Sequence, residues 1–513
     1  MQASSRIVVN TLAQYIRTII NLVLSLYSSR LVLNILGVED YGVYALVAGV
    51  VSMLSFVTNS LVGSTQRFLS VCQGQGNIAR LKEVFGNSLI LHVFIGLLVT
   101  IILEVLTPFL FDGFLNIPSD RTEVAKILYQ CVVIMVYISF IAAPYKALLV
   151  SRENIVYTSI IDVLDGILKV VLVLILPFMA YDKLVAYGFI MLSIQVFNLA
   201  AYAIYSHVRY EEAVVPDLKL FRFAYIKDLS SFTGWMVYSS VCVTMKTQGV
   251  AVVLNKALGT VVNAAYGIGL QISGMVSFVS SSLNNAIAPQ LMSAEGRGDR
   301  KHMYFLAEVE SKFSFLLLAM IGIPTMFEMP VLLKFWLGDT VPSYTVLFSC
   351  TLLFSQIIDM LSTGLALANR AIGRIGFYTV MTYSPKLLVL PISWTLLKLG
   401  QSLWTVCAVI VFFETFCMIV RIWLFRREEG FDIVQYFYSV ILRSMIPVVV
   451  SCFVSLLVHN LVIAEFRFIL TYILSFLSFA VVTYFCTLTV REKNILISLL
   501  SRLIKITDRD DES

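Results

Sequence analysis

An internal repeat without gaps constrains this chain more than any other feature of its sequence. Residues 36–76 recur at 258–298, with 12 identities in 41 aligned positions. The repeat shares a Leu-Gly pair, a Met-x-Ser-Phe-Val string and a Gly-x-Gly pair, which begin in the first copy at Leu36, Met53 and Gly74. Biased composition alone does not readily produce these matches in one register. In an apolar chain, two copies of one helical unit are typical of a transporter whose halves face each other across a central path.

The composition is that of a membrane protein. Of the 513 residues, 59% are hydrophobic and 13% are charged, whereas about 25% are charged in soluble proteins. Because roughly 20 apolar residues cross a bilayer, we predict an all-α polytopic membrane protein with about 14 transmembrane helices. The apolar stretches lie at 7–36, 42–70, 84–111, 124–150, 154–180, 184–207, 228–256, 260–292, 304–330, 343–369, 373–397, 401–425, 434–460 and 464–490.

The distribution of Lys and Arg between loops predicts the topology. With the N-terminus inside, the inside loops and the tail hold 21 of these cations and the outside loops hold seven. This excess follows the positive-inside rule and predicts that both termini are cytoplasmic. Six spans in each copy make the copies parallel repeats. The predicted parts are an N-terminal six-helix lobe (1–208), a cytoplasmic linker (209–227), a C-terminal six-helix lobe (228–430), helices 13 and 14 (431–490) and a cytoplasmic amphipathic tail (491–513).

Nine cations fall inside predicted spans, where facing lipid would cost each roughly 2.5–3.5 kcal/mol at mid-bilayer. They are Arg17, Arg30, Arg67, Lys169, Lys246, Lys312, Lys386, Arg421 and Arg443. Lys312, Arg421 and Arg443 lie near predicted cytoplasmic ends, where we expect their side chains to snorkel to water, and we expect the same of Arg67. The deeper cations must face counter-ions or a water-filled cavity.

Polar residues form a stripe along the first span. Its members recur every three or four residues and are Asn10, Gln14, Arg17, Asn21, Ser25 and Ser28. Hydrogen bonding between helices would produce such a stripe, but the central arginine favours a cavity lining. The seventh span, which begins the second copy, is similarly polar around Lys246.

Carboxylates inside the spans have two interpretations. Asp162, Asp165 and Lys169 share one face of the fifth span, and Asp165 can pair with Lys169 at i,i+4. They form either a structural ion pair or a proton or sodium site, and the same two interpretations hold for Asp359 and Glu414. The cations inside the spans outnumber these carboxylates, and this excess of positive charge suits an anionic ligand.

No catalytic, metal or cofactor site is predicted. The four histidines lack metal-ligand spacing and the eight cysteines form no CxxC pair. The largest predicted outside loops, near 112–123 and 331–342, are too short for a catalytic domain, so we predict that the protein is not an enzyme. Gly74-Gln75-Gly76 is expected to form a tight cytoplasmic turn rather than a phosphate loop, since no strand precedes it.

The segment from Leu36 to Ala45, Leu-Gly-Val-Glu-Asp-Tyr-Gly-Val-Tyr-Ala, resembles a turn of the polysaccharide repeat-unit flippases (the Wzx type). These belong to the multidrug/oligosaccharidyl-lipid/polysaccharide (MOP) exporter superfamily. The resemblance implies two MATE-like six-helix lobes in a V-shaped bundle with two extra helices, in the bacterial cytoplasmic (inner) membrane. It implies export of a polyprenyl-diphosphate-linked oligosaccharide to the periplasmic leaflet for O-antigen (lipopolysaccharide) or capsule biosynthesis.

The resemblance gives the polar residues expected roles in alternating access. Arg17, Arg30, Arg67 and Lys246, with Gln14 and Asn21, would bind the diphosphate and sugar, and the arginine-rich first copy would dominate recognition. Coupling to H⁺ or Na⁺ would use Asp162, Asp165, Asp359 or Glu414, the carboxylates inside the predicted spans. The expected partners are the lipid-linked oligosaccharide, the bilayer and the polysaccharide polymerase with its chain-length machinery, and not nucleic acid.

Three alternatives remain open at this stage. A drug/cation antiporter of the MATE type shares the fold but normally has 12 spans and an acidic cavity. A lipid II flippase has 14 spans and the same diphosphate chemistry. A polysaccharide polymerase or ligase, the least favoured, would be expected to carry a large outside loop.

Overall fold

The computed structural model describes residues 3–52, 55–111, 120–214, 222–338, 341–462, 467–490 and 492–494. These residues form helices and connecting turns, and no strand occurs among them. They divide into two compact units, Val9–Val237 and Tyr238–Ser513, the second of which also includes Met1–Val8. The division falls within a helix, and helices 13 and 14 of the prediction belong to the second unit.

The helices of the first unit follow the apolar stretches of the sequence. They are α1 (Ala3–Ser52), α2 (Ser55–Gly74), α3 (Ile78–Phe109), α4 (Thr122–Ser151), α5 (Ile155–Ile175) and α6 (Lys183–Arg209). Helix α7 (Phe223–Leu258) crosses from the first unit into the second.

The second unit contains more and shorter helices. They are α8 (Thr260–Gly296), α9 (Arg300–Phe327), α10 (Met329–Leu337), α11 (Thr345–Met360), α12 (Thr363–Ile372), α13 (Ile375–Tyr383), α14 (Val389–Lys398), α15 (Leu403–Phe425), α16 (Ile433–Tyr436), α17 (Arg443–Leu461) and α18 (Arg467–Val482). A 3₁₀ turn, Ser384–Leu388, separates α13 from α14.

Each of the 14 predicted spans is helical over most of its described residues. Nine helices in this part of the chain are long and apolar enough to cross a membrane, or eleven if two bent pairs count as one span each. The pairs are α9 with α10, bent by 78°, and α11 with α12, bent by 47°. The protein is therefore an all-α, multi-pass membrane protein.

The structure corrects one predicted loop and leaves three predicted segments partly outside its description. The outside loop expected near 331–342 is mostly helix, since α10 extends to Leu337. Residues 112–119 of the other outside loop, 215–221 of the linker, and 491 and 495–513 of the tail lie outside the described residues.

The repeat of the sequence is also a repeat of backbone conformation. Gly37 interrupts α1 with φ 82° and ψ 171°, and Gly259, its equivalent 222 residues later, has φ 86° and ψ −176° between α7 and α8. A side chain at this positive φ would strain the backbone. The predicted turn therefore occupies a single residue, and both copies need glycine there.

The Gly-x-Gly pairs form the predicted tight turns. Gly76 has φ 69° and Gly298 has φ 74°, each just after a helix. The next helix of each copy then begins with a side-chain cap, in which Asn77 accepts a hydrogen bond from the Arg80 N–H and Asp299 accepts one from the His302 N–H. Left-handed glycine followed by an N-cap is a local signal for two consecutive helices.

An arginine joins three elements at one end of the first unit. Arg121, which precedes α4, donates from Nε to Asp40 at 2.7 Å and from Nη1 to Asp182 at 2.8 Å. Burial opposes ionisation of Asp182, but hydrogen bonds from Arg121 and the N–H groups of Val185 and Leu184 hold its pKa below the ordinary value. These contacts fix α1 and the starts of α4 and α6 to one another.

Close contact between α9 and α12 in the second unit depends on Gly364. A Cβ placed there would lie 2.0 Å from the carbonyl oxygen of Ala307. The Gly364 N–H donates to the Ser311 hydroxyl at 2.9 Å, and the Tyr436 hydroxyl donates to the Leu361 carbonyl at 2.8 Å. The two helices therefore meet backbone to backbone.

The snorkelling predicted for Lys312 is wrong. Its side chain is buried in the second unit, and its ammonium group donates to Glu492 at 2.8 Å and to the Thr487 carbonyl at 2.9 Å. A counter-ion distant in sequence replaces water as its partner, which the sequence of α9 does not reveal.

We predict that Gly364→Ala lowers the stability of the protein in detergent, by roughly 1–3 kcal/mol or more, because the new methyl group pushes α12 away from α9. Gly274→Ala in α8, where a Cβ meets nothing within 4 Å, is the matched control and should be neutral or stabilising. Thermal unfolding of both purified variants measures the effect. Equal melting temperatures would contradict the close packing.

Candidate functional site

Each compact unit contains a polar pocket formed by its own described residues. The first pocket, in the first unit, has a volume of about 370 Å³ and is lined by α1, α5 and α6. The second pocket, in the second unit, has a volume of about 450 Å³ and is lined by α7, α8, α11, α12 and α15, with the end of α13 and the 3₁₀ turn. These volumes are typical of small-molecule sites.

The polar stripe of the first span divides between helix contacts and the first pocket. The Asn10 amide donates to the Glu153 carbonyl at 3.0 Å, and Arg17 Nη1 donates to Asp162 Oδ2 at 2.8 Å. Asn21, Ser25 and Ser28 line the first pocket. Both interpretations of the stripe therefore hold, for different parts of it.

The predicted carboxylates of α5 also line the first pocket. Asp162 accepts a hydrogen bond from the Tyr202 hydroxyl at 3.1 Å, in addition to its bond with Arg17. Asp165 pairs with Lys169 at 2.6 Å, as the i,i+4 spacing predicted, and accepts a hydrogen bond from Asn198 at 2.7 Å. These acids are thus held by partners within the first unit.

Three predicted binding residues lie elsewhere in the first unit. Gln14 is buried, Arg30 is exposed, and the Arg67 guanidinium lies 4.7 Å and 5.2 Å from the ring centres of Phe68 and Phe232. None of the three lines the first pocket. Their role in binding stays a prediction.

The second pocket is built around buried ion pairs. Lys246 of α7 and Lys386 of the 3₁₀ turn each approach one oxygen of Glu414 at 2.7 Å. Asp359 of α11 pairs with Arg421 of α15 at 2.8 Å and lies 3.6 Å from Lys386. We call these five side chains the charge network of the second pocket.

The lining of the second pocket carries an excess of positive charge. Arg370 lines the same pocket, so its wall contains four Lys or Arg side chains and two carboxylates. The first pocket, by contrast, is lined by two aspartates and one lysine. Cations therefore outnumber carboxylates on the wall of the second pocket, whereas carboxylates outnumber cations on the wall of the first.

The sequence interpretation missed part of this network. Arg421 was expected to snorkel, which is wrong: it is 2% exposed and bound to Asp359. The spacing of seven residues between Glu414 and Arg421 places both on one face of α15 and could have revealed this. The sequence also predicts counter-ions or a cavity for Lys386, and the structure provides both, whereas Arg370 lies in a predicted inside loop and gives no comparable signal.

We predict that Arg421→Met destabilises the protein by roughly 1–3 kcal/mol, because the partly buried Asp359 loses its closest counter-ion and keeps only Lys386 at 3.6 Å. The double variant Arg421→Met/Asp359→Asn should recover much of this loss. Arg427→Met, at an exposed position on the same stretch of chain, is the control. Thermal unfolding in detergent measures all three, and an unchanged single variant would contradict the network.

Comparisons with known proteins agree on family and fold. The sequence model described as "Polysaccharide biosynthesis protein" matches residues 5–294. A relative from Bacillus subtilis (strain 168), "Uncharacterized membrane protein EpsK", is 22% identical over 318 residues, and the match covers 61% of each chain.

Solved structures resemble the fold over most of the chain. A MATE protein in the bent conformation superposes with a TM-score of 0.73 at 16% identity, covering 83% of this chain and 95% of its own. A MOP superfamily transporter from Pyrococcus furiosus, described by the reverse polarity of its binding pocket, gives 0.71 at 14% identity, covering 85% and 97%. Identities this low establish the fold alone.

Proposed function

Because the chain belongs to the polysaccharide biosynthesis protein family of MOP superfamily transporters, we propose that it flips a polyprenyl-diphosphate-linked oligosaccharide across the membrane. The observation that carries the proposal is the cationic excess of the second pocket, where Lys246, Arg370, Lys386 and Arg421 face Asp359 and Glu414. A diphosphate supplies the negative charge that would balance this excess.

The chemistry of the second pocket suits phosphate oxygens. Arg421 presents a guanidinium, which binds phosphate through paired N–H groups, and Lys246 and Lys386 present ammonium point charges. The ion pairs hold these cations in place before a ligand arrives, which lowers the ordering cost of binding. Small hydroxyl residues such as Ser239 and Thr247 complete the polar wall.

The first pocket suits an uncharged, hydroxyl-rich group. Tyr44 and Tyr187 meet edge to face with ring centres 4.9 Å apart, and both line the pocket beside Tyr41. Asn21 adds a side-chain amide to the wall of the same pocket. Aromatic rings and amide or carboxylate acceptors would support a role in binding the sugars.

The remaining parts of the proposal concern the setting of transport. The protein would work in the bacterial cytoplasmic membrane with both termini inside and carry units for O-antigen or capsule, without catalysis of its own. Asp162, Asp165, Asp359 and Glu414 are the proposed sites at which H⁺ or Na⁺ couples to the cycle. The polymerase and its chain-length machinery would receive the product.

We predict that Lys386→Gln slows translocation of a fluorescent polyprenyl-diphosphate-linked sugar in proteoliposomes. Loss of one charge-assisted contact, worth about 1.5–3 kcal/mol, should weaken binding about 10-fold to 100-fold. Lys398→Gln is the matched control. Lys398 ends α14, the helix that follows the 3₁₀ turn, and it is exposed and outside the second pocket.

The same proteoliposomes separate the proposal from its alternatives. Efflux of a cationic dye without movement of the lipid-linked sugar would favour the drug antiporter. Movement of lipid II in preference to other lipid-linked sugars would favour the lipid II flippase. Extension of the glycan by the purified protein would favour the polymerase.

We predict that Arg17→Gln reduces transport in the same assay if Arg17 contacts the cargo. Since Arg17 also pairs with Asp162, the loss could instead come from an unbalanced carboxylate. The double variant Arg17→Gln/Asp162→Asn removes that imbalance and should be more defective than Asp162→Asn alone, which isolates the coupling role proposed for Asp162. Full recovery in the double variant would assign Arg17 a structural role alone.

A further inference from the structure

A further buried carboxyl group lies behind the second pocket and is absent from its charge network. Glu310 of α9 is 1% exposed. It accepts hydrogen bonds at Oε1 from the Asn284 amide and the Ser314 hydroxyl, both at 3.1 Å, and at Oε2 from the Thr363 hydroxyl at 3.0 Å. All of these partners are neutral. Neutral donors of this kind stabilise an ionised carboxylate less than a cation would.

The hydroxyl of Thr363 allows both protonation states without movement of heavy atoms. It lies 3.0 Å from Glu310 Oε2 and also 3.0 Å from the Met360 carbonyl oxygen. When Glu310 is ionised, Thr363 donates its proton to Oε2. When Oε2 is protonated, it donates to Thr363, which turns its own proton to Met360.

Thr363 and Asn284 connect Glu310 to the second pocket. Both line the pocket wall while contacting the buried carboxyl group from α12 and α8. The contact of α12 with α9 at Gly364 holds Thr363 in this position. A water molecule that entered the pocket would therefore be separated from Glu310 by one hydroxyl group.

Glu310 interacts electrostatically with two ionisable groups on neighbouring helices, Arg370 of α12 and Tyr436 of α16. The other charged groups on α9 and on the helices packed against it have partners or are exposed. The ion pairs are Glu295 with Arg300, Asp359 with Arg421, Lys312 with Glu492, and Glu328 with both Arg467 and His459. Glu308 accepts a hydrogen bond from Ser439, and the Arg443 guanidinium lies over the ring of Tyr438. Lys334 is exposed.

We propose that Glu310 is a proton-binding site that exchanges its proton with water in the second pocket through Thr363. Uptake of the proton converts the carboxylate to a neutral acid, and release returns the proton to pocket water. Because the ionised form adds a negative charge beside the pocket, a bound anion favours the protonated form and, reciprocally, protonation favours the anion. This last link rests on the proposed function; the proton site itself does not.

Infrared spectroscopy of the full-length protein in detergent tests the proton site directly. We expect a carbonyl stretch of a protonated carboxyl group that disappears as pH rises, and that is absent from Glu310→Gln at every pH. The glutamine amide can reproduce the hydrogen bonds of the neutral acid, so this variant should fold normally. Glu308→Gln, which removes a neighbouring carboxyl group of the same helix, should leave the band intact. A titrating band that persists unchanged in Glu310→Gln would overturn the proposal.

Binding of inorganic pyrophosphate, measured by calorimetry at several pH values, tests the link to the second pocket. Relative to Glu310→Gln, which corrects for ionisation of the probe itself, the wild-type affinity should fall about fivefold or more as pH rises. Binding to the wild type should take up a proton that the variant does not. Parallel pH profiles would overturn the link. Absence of pyrophosphate binding to either protein would count against the proposed function, while the infrared band still decides the proton site.

Discussion

The need to balance charge inside a bundle of apolar helices governs the second unit. Lys246, Lys386 and Glu414 meet at one point, and Asp359 and Arg421 meet beside them. These residues come from α7, α11, α15 and the 3₁₀ turn, so each ion pair also fixes the position of two elements. Breaking a buried pair leaves an uncompensated charge, which costs more than the pair itself contributes. The arrangement therefore stabilises the walls of the second pocket and leaves it with excess positive charge.

The two pockets occupy equivalent places in the repeat but differ in chemistry. By the offset of 222, Asn21, Leu24 and Ser25 of the first pocket correspond to Val243, Lys246 and Thr247 of the second. An offset of 221, which aligns Tyr157-Thr158 with Tyr378-Thr379, places Asp162 and Asp165 opposite Tyr383 and Lys386. Both copies have glycine at the turns because a residue with a side chain adopts a positive φ only at a cost in free energy. Side chains on a pocket wall face no such backbone constraint, so the copies can diverge there.

Local signals predicted most of the fold. Apolar length predicted the spans, and the Gly-x-Gly pairs predicted the turns at Gly76 and Gly298. Spacing along one helix also predicted the pair of Asp165 and Lys169. Apart from the loop expected near 331–342, the errors concern Lys312 and Arg421, whose snorkelling was inferred from depth alone. Their partners, Glu492 and Asp359, lie 180 and 62 residues away along the chain. Pairing between different helices leaves no periodic pattern in the sequence.

The sequence by itself determined the membrane class, the repeated helical unit and the glycine turns, because each follows from the chemistry of consecutive residues. It also supplied the resemblance to a flippase family that the comparisons agree with. Only the tertiary structure decided where the charges meet. It placed the cationic excess in the second unit rather than among the arginines of the first copy, and it brought Thr363 to Glu310 across α9 and α12. The physical reason is that a buried charge takes its state from the groups that surround it in space, and those groups come from helices far apart in the chain.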